Sequence, residues 1–139
     1  MHLSFALFAD GANLSQEGKL NILGVFDAMQ VASFPSVHPR AHLVVRLKGT
    51  RADVGVHQVV LSWKNPQGSE LWNSNGQLDI GAPPPQVTEI DMPLIAPIDL
   101  PLDGPGVYTM TITLDRERQG ELRLHVRDAA TPMPGAMLS

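Results

Sequence analysis

The chain contains no cysteine, and this absence excludes several kinds of protein at once. Disulfide bonds, thiolate metal sites and a cysteine nucleophile all require that residue. The absence also favours a reducing compartment, so we expect the protein in the cytoplasm. A chain of 139 residues needs no covalent staple, because a single domain of that length buries about two-thirds of the surface of its unfolded chain.

Long apolar runs and an excess of basic charge are also missing. No stretch approaches the roughly 20 apolar residues that a membrane-spanning helix needs. Residues 1–9 are mostly apolar, but they lack a basic leader and Asp10 follows at once, so we interpret them as a first strand and not as a secretion signal. The formal net charge of −4 gives no general attraction to nucleic acid or to an anionic membrane, and we expect neither as a partner.

Glycine and proline are abundant, with twelve of each, and they divide the chain into short stretches that alternate apolar and polar residues. Such alternation is typical of a half-buried strand, and no stretch shows a sustained helical stripe. The sequence therefore predicts an all-β fold, a two-layer β-sandwich of about eight strands, immunoglobulin-like or jelly-roll-like. We expect one domain over 1–127 and a loose tail over 128–139. The predicted strands are 2–9, 19–32, 41–49, 56–64, 70–75 (or 70–80), 88–102, 107–115 and 121–127.

The alternation also predicts which side chains face the core. We expect Leu3, Phe5 and Leu7 to share one face of the first strand. The rest of the predicted core comprises Leu43, Val45, Leu61, Trp63, Ile112, Leu114, Leu122 and Leu124. In 88–102 the apolar side chains fall on even positions and prolines on odd ones, so we predict an edge strand or an extended segment lying on the sheet, because proline cannot donate to a central ladder.

A short run before the seventh predicted strand is typical of a known structural feature. Gly106-Val107-Tyr108 resembles the entry to the penultimate strand of immunoglobulin-like domains, where a tyrosine turns back to bond the backbone. Here Asp103 lies five residues before Tyr108 instead of four, and Met110 stands where a cysteine is usual. The likeness favours a sandwich and implies no binding site.

Three blocks in the first third of the chain resemble a known family. They are Ala9-Asp10-Gly11-Ala12, then Gly18-Lys19-Leu20-Asn21-Ile22-Leu23-Gly24-Val25-Phe26-Asp27, then Phe34-Pro35-Ser36-Val37-His38-Pro39. Together they are similar to a bacterial family of short proteins, catalogued only as a domain of unknown function, with a GKLxxxGxF strand and a proline-bounded loop. That family is uncharacterised, so the resemblance implies no activity and no site residues. It marks 18–39 as a defining feature.

No pattern of catalytic or metal-binding residues is complete. His38, His42 and His57 could share a metal ion only if neighbouring strands brought them together, and scattered strand histidines are usually solvated. The acidic candidates for a carboxylate pair are Asp10, Asp27, Asp99 and Asp103, and three of them adjoin turn residues, where aspartate serves the backbone. A nucleophile elbow and a glycine-rich phosphate loop are both missing. We therefore expect no catalytic residue, no cofactor and no metal.

The segment 19–32 is apolar on both faces, whereas a strand of a two-layer sandwich normally turns one face to water. Leu23, Val25 and Met29 lie opposite the apolar side chains that we assign to the core. A bulge at Gly24, or cover by 88–102, would hide this surplus within one chain. Without such cover an apolar patch remains that a monomer rarely exposes. We therefore expect a homo-oligomer or a protein partner, and a protein that acts through association.

Trp72 is a second candidate contact residue, because its neighbours in the sequence are mostly polar. It supports the alternative of a small-ligand or carbohydrate-binding module that uses Trp72 and the loop 73–86. An enzyme of unknown class, assembled from distant loops, ranks third. Charge is also uneven: residues 40–64 are basic and 86–103 acidic, an asymmetry that could guide association.

Overall fold

The computed structural model describes residues 1–129 and shows a β-sandwich, which confirms the predicted fold class. The strands are β1 (His2–Leu14), β2 (Leu20–Phe26), β3 (Ala28–Val31), β4 (Ser36–Thr50), β5 (Gly55–Lys64), β6 (Glu70–Ile80), β7 (Glu89–Leu102), β8 (Gly106–Leu114) and β9 (Glu117–Asp128). Within 1–129 the only helical element is the single 3₁₀ turn Arg51–Asp53, and no helix is long and apolar enough to cross a membrane. The predicted tail begins at Asp128, which still belongs to β9, and 130–139 lie outside the described residues.

Two sheets of four and five strands form the layers, in the orders β2-β1-β4-β7 and β3-β9-β8-β5-β6. The run β9-β8-β5-β6 has the G-F-C-C′ order of an immunoglobulin variable-type sheet, and β4 beside β7 takes the place of strands B and E. Every pairing is antiparallel except that of β3 with β9, which is parallel. The first and the last strands of the larger sheet along the chain, β3 and β9, are therefore neighbours at one edge of that sheet.

The apolar segment 19–32 forms two strands, and they lie in different sheets. β2 ends at Phe26 in the smaller sheet and β3 begins at Ala28 in the larger one, so the chain crosses between the layers at Asp27. The carbonyl oxygen of Asp27 accepts a hydrogen bond from the backbone N–H of His125 at 2.8 Å. The core lies between the two sheets, so the side of the chain that faces it changes where the chain crosses from one sheet to the other. Phe26 before the crossing and Met29 after it therefore both pack against the core. The prediction that Met29 lies on the outer face is therefore wrong.

The predicted core is confirmed except at its margins. Six of its members are buried: Leu43, Val45, Trp63, Ile112, Leu114 and Leu124. The other two, Leu61 and Leu122, are half-buried and pack against the same cluster. In the first strand the register shifts between Leu3 and Phe5, so Leu3 packs on the core whereas Phe5 and Leu7 do not. The prediction that these three share a face is wrong, because a β-bulge reverses the alternation.

β7 is an edge strand, as its prolines predict. Its even-numbered apolar side chains pack on the core, and odd positions such as Pro93 and Pro97 face away from it.

Tyr108 closes the corner between β7 and β8. Its hydroxyl accepts hydrogen bonds from the backbone N–H groups of Asp103 and Gly104 at 2.8 and 3.0 Å. A tyrosine corner, which the run before Tyr108 resembles, is therefore present.

Candidate functional site

The outer surface of the smaller sheet carries apolar side chains on all four strands, with His42 of β4 among them and the charged Arg46 and Lys48 of β4 at one end. We call it the outer face and define it by Phe5, Leu7, Ala9, Leu23, Val25, Val44 and Ile95. Strand pairing makes it continuous: Ala9 lies opposite Val25, and Val44 lies between Leu7 and Ile95. Val44 is fully buried although its neighbours Leu43 and Val45 face the core, so the side chains around it cover it from outside.

The most exposed part of the outer face lies on β2. Leu23 is 76% exposed and Val25 is 60% exposed, which places both of these sequence-predicted contact residues in solvent. At Leu23 the β1–β2 hairpin extends beyond the rest of its sheet, because residues 11–14 of β1 pair with β2 and not with β4, whereas Val25 lies opposite Ala9, which pairs with both. A two-stranded hairpin gains little stability by itself, so apolar side chains on its surface favour contact with another molecule.

The charged residues at the rim of the outer face neutralise one another. Arg46 of β4 forms a paired hydrogen bond with the carboxylate of Asp91 on β7, which lowers the pKa of Asp91. Lys48 lies 3.0 Å from Glu89 on the same pair of strands. The basic segment 40–64 and the acidic segment 86–103 therefore meet inside one chain, since β4 and β7 are neighbours. The charge asymmetry of the sequence leaves little net charge to select an oppositely charged partner.

The histidines singled out in the sequence do not converge. His38 packs edge-to-face on Phe26, His42 Nδ1 lies 3.1 Å from the carbonyl oxygen of Arg40, and His57 belongs to the other sheet. Within the described part of the chain, no three His, Asp or Glu side chains are grouped as metal ligands would be. Of the acidic candidates, Asp99 accepts a hydrogen bond from the backbone N–H of Arg40 at 2.9 Å, and Asp103 bonds Asn65 and Tyr108.

Both ring nitrogens of His57 have hydrogen-bond partners. Its Nδ1 bonds the carboxylate of Asp115, and its Nε2 lies 2.6 Å from the carbonyl oxygen of Asp53. Both partners accept hydrogen bonds, so they favour the doubly protonated ring, and the pKa of His57 is raised, first by Asp115 and then by the Asp53 carbonyl. Asp115 also accepts from the backbone N–H of Gln58 at 2.8 Å. With both nitrogens occupied, the ring has no free position for a substrate proton.

The His57–Asp115 pair predicts a pH-dependent stability. Because the folded-state pKa of His57 lies above its ordinary value of 6.5, its contribution is complete below about pH 6.5 and is lost as the pH rises through the folded-state value. We expect the melting temperature of the wild type, relative to that of His57→Gln, to fall by a few degrees from pH 6 to pH 9. Asp115→Asn keeps the turn but removes the charge. The melting temperature of the wild type should therefore fall between pH 6 and pH 9 relative to that of this variant as well. A constant difference across this range would contradict the assignment.

Trp72 differs from its sequence interpretation. It lies opposite Trp63 in the β5–β6 pairing and packs against the core, so it is half-buried and not an exposed contact residue. Its indole N–H is buried and has no acceptor among the described residues. The sequence does not signal the burial of Trp72. Its neighbours are polar because β6 is an edge strand, and not because Trp72 itself is exposed.

Part of the loop predicted over 73–86 lines a cavity instead of forming a loop. Gly76, Gln77 and Leu78 belong to β6 and border an apolar space of about 230 Å³ between the two sheets. We call this space the edge cavity, because it lies where the edge strands β6 and β7 approach each other. The sequence does not reveal it, since it depends on which strands face each other across the layers.

The fold and these two surfaces define a two-layer β-sandwich domain with an apolar outer sheet face and an apolar cavity at one edge. Residues 4–127 match the model of a family of unknown function (DUF6941), and the chain belongs to that family. No curated protein matches the chain.

Proposed function

We propose that the chain is a non-enzymatic domain that associates with a second copy of itself through the outer face. The observation that carries this proposal is the exposure of Leu23 and Val25 beside the apolar rows of β1, β4 and β7. Ala9 and Val44 are fully buried and Phe5, Leu7 and Ile95 are half-buried, so the apolar surface left to water is concentrated at Leu23 and Val25. Exposed apolar side chains that adjoin one another favour an interaction site. Burying them against another sheet stabilises an assembly in the same way that the two layers of one sandwich stabilise each other.

A second copy suits this surface better than a charged partner does. The ion pairs Arg46–Asp91 and Lys48–Glu89 already neutralise the rim within one chain. An apolar and internally neutral surface is complementary to itself, which is the requirement of a two-fold symmetric interface. A nucleic acid or an anionic membrane would instead select a basic surface.

The chemistry of the described residues supports a non-enzymatic role. The carboxylate–histidine pair Asp115–His57 has both ring nitrogens engaged, one of them by a backbone carbonyl. A general base needs a free nitrogen within reach of the substrate proton. The carbohydrate-binding alternative has less support, because Trp72 packs its ring against the core.

Val25→Lys tests the proposal. In the isolated chain the substitution should be tolerated, because a side chain that is already 60% exposed leaves little apolar surface to lose. Within an apolar interface the lysine buries a charge that has no partner, so we expect dimerisation to weaken by about a hundredfold. Sedimentation velocity over a concentration series measures this, and thermal unfolding verifies that the variant is folded.

Val56→Lys is the matched control, because Val56 is 61% exposed and lies on β5 of the other sheet. It introduces the same charge on the same residue type and should leave the dimer intact. A wild-type protein that is monomeric at the highest concentration reached would overturn self-association. Equal weakening by both variants would mean that the outer face is not the interface.

Three further points have the status of proposals. We propose that GKLxxxGxF is the signature of the family. Gly18 and Gly24 support this, since both have positive φ angles (79° and 72°) that favour glycine, and the side chain of Asp10 occupies the space beside Gly24. The bacterial source rests on the same resemblance. The cytoplasmic location rests on the lack of cysteine.

A further inference from the structure

The edge cavity lies between the sheets in the part of the sandwich that its sequence leaves unfilled. On β6 the inward positions Leu78 and Ile80 are buried, but the next inward position is Gly76, which lies opposite Val59. Ala96 is a second small residue in the lining, on β7. A Cβ atom added to Gly76 would meet nothing within 4 Å. Gly76 is itself exposed and Val59 is half-buried, so the space opens to solvent at this edge of the sandwich.

The lining of the edge cavity is apolar and uncharged. Leucine, valine and isoleucine side chains of five strands form most of it, with Leu43 and Leu47 marking its extent on β4. Among the described residues that line it, Gln77 is the only polar one, and its position in β6 alternates with the inward residues, which turns its side chain away. Nothing in the lining would hold a charged head group, so the part of a ligand that enters is a hydrocarbon.

The shape of the edge cavity selects among hydrocarbons. The lining extends over a separation of four residues on β4, from Leu43 to Leu47, but over a separation of only two residues on each of the other four strands. Its volume of about 230 Å³ is therefore not confined to one straight axis. A flexible chain of methylene groups adapts to an apolar space of this kind, whereas a rigid fused ring system requires a space of matching shape. We infer that the edge cavity binds one linear aliphatic chain, with any polar end of the ligand left at the opening between β6 and β7.

Titration with linear alcohols from hexan-1-ol to dodecan-1-ol tests this inference, with the methyl resonances of the protein as the readout. Shifts should be saturable and concentrated on the leucine, valine and isoleucine methyls of the lining. Affinity should rise by about fourfold for each added methylene, the value expected for transfer from water to an apolar site. The affinity should stop rising when the edge cavity is full.

Gly76→Leu should abolish the binding, because the new side chain enters the cavity. The variant should melt no lower than the wild type, since its Cβ meets no atom within 4 Å and the φ angle of Gly76 is not positive. Gly76→Ala supplies the same backbone restraint with little added volume and should still bind. Gln77→Leu adds a leucine on the opposite face of the same strand and should also bind.

Three results would overturn the inference. These are shifts that do not saturate, binding to Gly76→Leu as tight as to the wild type, or a preference for phenanthrene over decan-1-ol, which would mean that the edge cavity selects rigid rings. The Val25→Lys variant should bind decan-1-ol as the wild type does. Failure of the association proposal would therefore leave the result on the edge cavity unaffected, and the reverse also holds.

Discussion

Trp63→Ala should lower the free energy of unfolding by about 3–5 kcal/mol, the range for removing a buried large aromatic side chain. Trp63 is fully buried, stacks on Tyr108 at a centroid distance of 5.3 Å and meets Phe8 edge-on at 5.9 Å. Its indole N–H donates to the carbonyl oxygen of Pro101 at 2.9 Å. That bond links β5 of the larger sheet to β7 of the smaller one, so the substitution weakens the contact between layers as well as the packing within them.

Urea unfolding measures the loss, and a pair of milder variants separates its causes. Trp63→Phe keeps an aromatic ring but leaves the Pro101 carbonyl unpaired, so we expect a loss of about 1–3 kcal/mol. Trp72→Phe should change stability by less than about 0.5 kcal/mol or increase it, because the indole N–H that it removes is buried without an acceptor. Equal losses from the two phenylalanine variants would contradict this account of the two tryptophans.

Tyr108→Phe is the second large effect, with an expected loss of about 2–3 kcal/mol. The hydroxyl that it removes accepts from two backbone N–H groups, those of Asp103 and Gly104, and lies 2.6 Å from the carbonyl oxygen of Gly104. All these groups lose their partner inside the protein, and because Asp103 is exposed and Gly104 half-buried, water replaces it only in part. Burial also raises the pKa of Tyr108, so the corner should keep its neutral hydroxyl well into the alkaline range.

Chemical denaturation at neutral pH measures this loss. Asp103→Asn provides the comparison, because it keeps an oxygen that can accept from the Tyr108 hydroxyl while removing the charge, and it should lose much less stability than Tyr108→Phe. If Tyr108→Phe unfolds within about 0.5 kcal/mol of the wild type, the hydroxyl bonds do not hold the corner.

Where one strand keeps one register, the sequence predicts the fold well. Leu43, Val45 and Leu47 alternate without interruption and are all buried. The prolines of 88–102 identify an edge strand for a direct physical reason, since they lack the N–H that a second neighbour would need. Gly106, two residues before Tyr108, indicates the corner, because its φ of 138° is a conformation that residues with a side chain rarely adopt.

The sequence fails where geometry changes within a strand. A bulge after Leu3 turns Phe5 and Leu7 outward, and no residue type in that run signals it. The crossing at Asp27 turns Met29 inward, so the apolar surplus of 19–32 is divided between two sheets. Only Leu23 and Val25 remain on the surface that the pattern predicted. The edge cavity depends on the approach of β6 to β7, which alternation along a single strand does not encode.

The crossing between layers also bears on the order in which the chain folds. The hairpins β5–β6 and β8–β9 join neighbouring segments, whereas β3 pairs with β9 from a position about a hundred residues earlier in the chain. Closing so long a loop carries a large entropic barrier and slows folding. We therefore expect the hairpins of the larger sheet to form first and β3 to dock last. Until it docks, the edge of β9 stays unpaired, and the nascent chain is most prone to join another chain at that edge.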